Sequence, residues 1–381
     1  MAPRGHSPSG AAPIPMGNNA LSSFIDGPGA NVGPVVLSRR NGAWSVPAAD
    51  FGDEVRGLAA ALSGYGLGPG ARAAVLGSEG GGTLRAGLAV IAAGATVVPL
   101  DPSLSDDGLR RAMASTGAVH AIASDERQLA RILALRPDLS ALELVLLMSA
   151  APSERKPAAL LVEAAIAVGL ASLASDPGQL RRALAESEGN AACLLVNPSG
   201  EIREVGRTTL LALAHAMSQA LGLARGKTVL ASLPVGGVER LGASLAALSQ
   251  GATLLLPDPA ERPDAGLDQH PADSVLLDVT GVERLFRAWS EDIDAKSWLG
   301  RGVMRWALRE GRAAERNAWK YRVADRFALR ELRGKLGGRA AGLDVIVNTG
   351  RRASPEVEAF FAATGLSLQY HSPDTDTALA R

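Results

Sequence analysis

An α/β fold, with mostly parallel sheets covered by helices, is predicted by three observations. Short apolar runs alternate with longer Ala/Leu/Arg-rich segments, the alternation continues from about residue 30 to the end of the chain, and 47% of the 381 residues are hydrophobic. Such alternation is the rhythm of βαβ units. The length and apolar content suffice for two packed subdomains or one large domain.

The first 20 residues are rich in Gly, Pro, Ser and Ala and hold no apolar run of the length a secretory signal needs, so residues 1–28 read as a disordered lead-in. The remainder divides into a first α/β subdomain over 29–185 and a second over 186–381. Strands are predicted at Ala73–Gly77, Ala95–Leu100, Ala118–Ala123, Leu142–Leu147, Ala192–Asn197, Thr228–Leu233, Ala252–Leu256, Ser274–Asp278, Gly342–Asn348 and Leu366–Tyr370. Between them, Asp50–Gly64 repeats apolar residues at helical spacing, Asp106–Ser115 opens with two aspartates suited to a helix N-terminus, and Ser199–Leu223 reads as one long helix. The apolar stretch Ala158–Ala174 is shorter than the roughly 20 residues a membrane-spanning helix needs. It also contains Glu163, so a buried helix of a soluble protein is expected and no transmembrane segment.

Charge narrows the function classes. Lys plus Arg and Asp plus Glu each total 39, leaving no global field to attract nucleic acid or an anionic membrane. The basic stretch Trp306–Arg339 interleaves Glu310, Glu315, Asp325 and Glu331 with its cations and reads as a solvated helix pair. Cys193 is the only cysteine, so there is no intrachain disulfide and no cysteine-based zinc site; a reducing, cytoplasmic location is expected. Neither an HExxH pattern nor a GxSxG elbow is present.

Three stretches, in order, resemble the AMP-forming acyl-CoA synthetases of the adenylate-forming superfamily. Residues 57–104 look like that family's opening, with Gly94, Ala95, Val98, Pro99 and Leu100 fitting its "Gly-Ala-x-x-Val-Pro-Leu" phrase; Gly94 suits a helix exit with positive φ. Residues 228–256 resemble the "Leu-Pro-x-x-His-x-x-Glu-Arg" segment through Leu233, Pro234, Glu239 and Arg240. Gly236 and Gly237 lie where the histidine bordering the acyl pocket would be. Residues 274–289, 304–312 and 323–370 are similar to the long-chain fatty acyl branch, ending in the patterns "Leu-x-x-x-Leu-Gly-Gly-Arg" and "Pro-Glu-x-x-x-Phe-Phe", the latter at Pro355–Phe361. The resemblance implies the N-terminal-domain fold of an adenylate-forming enzyme with the C-terminal domain absent.

Adenylation needs donors and Mg²⁺ to neutralise charge at the α-phosphate. The family supplies "Thr-Ser-Gly-Thr-Thr-Gly-x-Pro-Lys-Gly" after a strand. Here Ser199 and Gly200 match, whereas Glu201 and Ile202 replace hydroxyls, Arg203 replaces a glycine and Gly206 stands at the lysine position. Carboxylates beside phosphates repel, and a loop without its glycines cannot easily turn its amides onto an anion. Arg203 and Arg207 are candidate substitute cations.

The family's second motif, "Tyr-Gly-x-Thr-Glu", is represented by Tyr370 through Asp374, and its "Ser-Gly-Gly-Ala-Pro-Leu" turn by residues 348–353 with Gly350 retained. The resemblance implies base stacking by Tyr370 and a weak magnesium ligand in Asp374. It also implies a ribose-binding aspartate and a catalytic lysine beyond the last residue, Arg381, so no catalytic residue is assigned. The expectation is a degenerate, non-catalytic module with no cofactor, binding a fatty acid or acyl chain, an acyl carrier or an active synthetase. The alternative is a divergent or split long-chain fatty acid–CoA ligase using ATP and Mg²⁺.

Overall fold

The computed structural model describes residues 35–39, 42–77, 80–148, 159–197, 200–234, 236–257, 262, 264, 267, 271–312, 319–336, 342–346 and 352–371. Among them, the strands form two seven-stranded sheets. One sheet has the order β7-β6-β5-β3-β4-β8-β9, from β3 (Arg72–Leu76), β4 (Thr96–Leu100), β5 (His120–Ala123), β6 (Leu144–Leu147), β7 (Leu160–Leu161), β8 (Ala191–Val196) and β9 (Ile202–Gly206). The other has the order β14-β13-β12-β10-β11-β1-β2. Its strands are β1 (Val35–Arg39), β2 (Gly42–Val46), β10 (Thr228–Ser232), β11 (Thr253–Leu256), β12 (Ser274–Asp278), β13 (Gly342–Ile346) and β14 (Ser367–His371). Pairing is parallel except for the edge strands β2 and β9. The predicted α/β class of stacked, mostly parallel sheets is what the chain forms.

Side chains of a strand alternate between faces, and that period shows how the layers stack. Ala73, Val75 and Val97 of the first sheet share one core with Val229, Ala231, Leu254 and Leu256 of the second. Ala74, Leu76 and Val98 turn instead to an outer core under α3 (Asp106–Thr116) and α4 (Glu126–Leu135). Leu230, Leu255, Val275 and Leu277 turn to another outer core, under α9 (Val279–Asp294), α10 (Trp298–Arg312) and α13 (Pro355–Thr364). The inner core also takes in α1 (Ala48–Gly64), α2 (Gly81–Ala92), α5 (Val162–Ser175), α6 (Gln179–Glu186), α7 (Arg207–Ala220) and α8 (Val238–Ser249). The result is helix, sheet, helix, sheet, helix, with the middle layer shared.

Sheet membership does not divide at residue 185: β8 and β9 complete the first sheet although they follow that point, and β1 and β2 complete the second although they precede it. The helix expected over Ser199–Leu223 forms only from Arg207 to Ala220. Gly200 has φ +88 and reverses the chain, so Ile202–Gly206 pairs back on β8 as an antiparallel hairpin. The helix expected within Ala158–Ala174 forms as α5 and is half-buried: Val162, Ala165, Ile166 and Gly169 face the core, while Val168 is 55% exposed. The basic stretch forms α10 and α11 (Trp319–Ala324), then a π-helical turn (Asp325–Leu329) and α12 (Arg330–Gly334).

Two close approaches set the middle layer. Gly94 has φ +79, as the sequence suggested, and a Cβ there would lie 2.6 Å from the Ala183 carbonyl oxygen. At the crossing of α1 and α5, a Cβ on Gly169 would lie 1.7 Å from the Gly57 carbonyl oxygen, so the helices touch backbone to backbone. Gly169→Ala must push them apart, and a loss of roughly 3 kcal/mol in urea unfolding is expected, at the upper end of ordinary overpacking.

His120 on β5 is 1% exposed and its Nδ1 has no hydrogen-bond partner among the described residues. Burial holds its imidazole below the ordinary histidine range, while Glu143 and the Tyr65 backbone pull the other way. With the folded value depressed, the unfolded chain takes up the proton first. Stability from this group is therefore present above the unfolded value, about 6.5, and is lost as pH falls through the folded one. His120→Leu should lose less stability than the wild type between pH 7.5 and lower pH, read as the shift in urea midpoint.

Candidate functional site

Open α/β sheets bind ligands outside the carboxyl ends of their strands, where crossovers from neighbouring strands leave for opposite faces. Each sheet has such a point. In the first, β3 leads to α2 in the middle layer and its neighbour β5 leads to α4 outside. In the second, β10 leads to α8 in the middle layer and its neighbour β12 leads to α9 outside.

Arg240, one turn into α8, joins the two points. Its Nη2 donates to the Gly80 carbonyl oxygen at 2.9 Å and to Thr83 Oγ1 at 3.3 Å, at the start of α2, and the side chain is 4% exposed. The cavity beside it, lined by Val75, Thr83, Gly87, Val97, Arg240 and Leu241, holds about 20 Å³, room for a single water. The predicted pocket-border residues Gly236 and Gly237 lie in the turn just before α8, where Gly237 N donates to the Pro234 carbonyl at 3.3 Å. A Cβ on Gly236 would meet nothing within 4 Å, whereas one on Gly237 would lie 2.6 Å from Glu239 Oε2. Glu239 also adds to the burial that pushes the Cys193 thiol up.

The β8–β9 turn stands at the carboxyl edge of the first sheet. Asn197 N donates to the Glu201 carbonyl at 3.0 Å, Gly200 N to the Asn197 carbonyl at 2.9 Å, and Glu201 N to Asn197 Oδ1 at 2.8 Å. Asn197 Nδ2 donates to Glu201 Oε2 at 2.9 Å. Arg207 is at the other end of the hairpin, which pairs Ala191 with Gly206 there and Val196 with Ile202 at the turn. At roughly 3.4 Å per residue the separation exceeds 10 Å. Arg207 instead donates to the Leu184 carbonyl and to Ser187 Oγ, at 3.1 and 2.7 Å.

At the far edge of the second sheet, Tyr370 pairs in register with Val345 and packs on the outer core. The Arg352 guanidinium lies 4.7 Å from the centre of its ring, and its hydroxyl donates to Glu358 Oε1 at 2.6 Å. Burial, the hydrogen bond to Glu358 and that residue's charge push the phenol up to about 12, against a smaller opposing effect of Arg352, so it stays a donor near neutrality. An open concavity of about 440 Å³ adjoins these residues. On the opposite face, His371 Nε2 lies 2.8 Å from Asp344 Oδ1, and burial raises the Asp344 carboxyl while His371 draws it down.

Thus Gly200, Gly236, Gly237 and Tyr370 all lie toward the carboxyl edges of the sheets, but Tyr370 turns outward with one ring face covered. Ser199, Gly350 and Asp374 lie outside the described residues. Among the described residues, no three His, Cys, Asp or Glu side chains converge on a metal-holding position. Sequence reasoning noted Arg240 without a role and missed Asp344, whose signal was a lone carboxylate among the apolar residues of β13. Replacing Arg240 with Met leaves the Gly80 carbonyl without this donor and should cost about 3 kcal/mol in urea unfolding.

Residues 44–180 match the AMP-binding enzyme family. No curated protein matches the chain at a significant level. Similar solved structures include the acyl-CoA synthetase of Brucella canis, at 15% identity and TM-score 0.64, over 93% of this chain and 57% of that one. A long-chain-fatty-acid-CoA ligase of Archaeoglobus fulgidus is 11% identical with TM-score 0.64, over 92% and 62%. The A-PCP didomain of carboxylic acid reductase from Segniliparus rugosus, in complex with AMP, is 14% identical with TM-score 0.63, over 92% and 51%. This chain spans about half to three-fifths of those proteins. It has the fold of the large domain of the adenylate-forming, acyl-CoA synthetase-like enzymes, with an AMP-binding match over residues 44–180.

Proposed function

We propose that this protein is a non-catalytic binding or regulatory module in acyl metabolism, built on an acyl-CoA synthetase fold that no longer holds a nucleotide triphosphate. The observation that carries the reading is the β8–β9 turn. A phosphate-holding loop must point free amide N–H groups outward. In this turn the amides of Asn197, Gly200 and Glu201 are committed to bonds within the hairpin, and residue 198 is a proline with no N–H. The Glu201 carboxylate is fixed at the turn by Asn197, and Glu204 is exposed on β9. Among the described residues this donor set does not fit a triphosphate, and Arg207 is committed elsewhere.

Arg352 over Tyr370 further supports the reading, because a base stacking there must displace the guanidinium or take the other ring face. An acyl carrier, an acyl chain or an active synthetase is the proposed partner class. The solved A-PCP didomain with the same fold favours the carrier among them. A cytoplasmic location accords with this role, and among the described residues no helix is long and apolar enough to cross a membrane.

Calorimetric titration of the purified protein with Mg·ATP, AMP and a long-chain fatty acid, followed by a pyrophosphate-release assay with coenzyme A, tests the proposal. No heat with Mg·ATP and no pyrophosphate are expected. Pyrophosphate released in a fatty-acid-dependent manner would show instead a divergent ligase.

A further inference from the structure

The chain carries only 14 aromatic Phe, Trp and Tyr residues among 381, and most large ones serve the cores. Trp289, Phe360 and Phe361, for example, stack within the outer core of the second sheet. Against that economy, Trp298 is 75% exposed, Trp319 66% and Phe327 71%, and all three stand on α10, α11 and the π-helical turn that follows. The inward sides of these helices are already satisfied, through Met304, Ala307 and Leu308 on one and Ala324, Ala328 and Leu329 on the other. The rings are therefore additional to folding. Three large, mostly exposed aromatic side chains within 30 residues, beside the cations of the same helices, are the combination an interfacial site presents.

Charge says what kind. Lys296 is tied to Glu331, Arg305 to Asp294, Arg333 to Asp325 and Lys335 to Asp292, which uses nearly every carboxylate of this region. Arg309, Arg312, Lys320, Arg322, Arg326 and Arg330 have no ion-pair partner among the described residues. Glu310 is the one carboxylate of α10, α11 and the turns after them that is not so engaged, among the described residues. A chain with no net charge thus concentrates uncompensated cations beside its exposed aromatic rings.

We infer that this helical face docks on an anionic phospholipid surface. Guanidinium groups meet lipid phosphates as bidentate donors. Indole and phenyl rings settle at the headgroup level, where an apolar body and a polar edge are both accommodated. Along the chain the exposed rings Trp319 and Phe327 alternate with the exposed cations Lys320, Arg322, Arg326 and Arg330, a mixture that a headgroup layer accommodates. Binding is at the surface, since neither helix is long enough to span. The inference is independent of whether the nucleotide site works.

The test is co-sedimentation of the full chain with vesicles of phosphatidylcholine alone and of phosphatidylcholine with one quarter phosphatidylglycerol, at low and moderate salt, with tryptophan emission followed in parallel. Binding at least tenfold stronger to the anionic vesicles, weakened by salt, with a blue shift in emission, is expected. A triple variant Trp298→Ser, Trp319→Ser, Phe327→Ser should lose binding by tenfold or more. Arg322→Glu with Arg326→Glu and Arg330→Glu should lose about a hundredfold, from roughly 1 kcal/mol per cation near the surface. Both sets lie at exposed positions, and circular dichroism checks that each variant is folded. No preference for anionic vesicles, or a preference that both variants retain, overturns the inference. Equal affinity for duplex DNA together with indifference to the aromatic substitutions also overturns it, leaving a general polyanion surface.

Discussion

Two sheets sharing one layer of helices is the constraint on which the rest of this molecule depends. Helices α2 and α8 have sheet on both sides and therefore no solvent face: nearly every residue of each is buried. Such helices cannot be amphipathic in the ordinary sense. They must be small where neighbours crowd, which is why α2 reads GGTLRAGLAVIA and α8 reads VERLGASLAALS. The abundance of Ala and Gly thus has a packing cause.

The same constraint makes Arg240 consequential. A cation inside the middle layer is costly unless it is bonded, and Arg240 directs its Nη2 to the Gly80 carbonyl and Thr83 at the start of the neighbouring middle helix. One side chain thereby links the start of α8 to the start of α2. The cavity beside it, among the described residues, has about the volume of one water.

Along the rim, described polar groups pair locally with one another. The β8–β9 turn satisfies its own amides, Tyr370 is held between Arg352 and Glu358, and His371 pairs with Asp344. Polar groups bound to one another cost nothing in desolvation that the fold has not already met, but they are unavailable to a ligand unless it offers better partners. On the remote outer layer, Arg309, Arg312, Lys320, Arg322, Arg326 and Arg330 have no ion-pair partner among the described residues.

Strand positions were legible in the sequence because a strand buried on both faces is a short unbroken apolar run, as in Thr228–Ser232 and Ser274–Asp278. The family likeness was legible because glycine and proline positions such as Gly94 and Pro99 answer to backbone geometry, which a single residue type reports. What the sequence by itself did not determine was partnership between distant segments. That β8 and β9 complete the first sheet, that Ser199–Leu223 is broken by a hairpin, that Arg240 reaches Gly80, and that Arg352 covers Tyr370 are matters of which surfaces meet. Local periodicity encodes how much of an element is buried; only the tertiary structure decides against what, because that choice is made by the joint packing of all the layers at once.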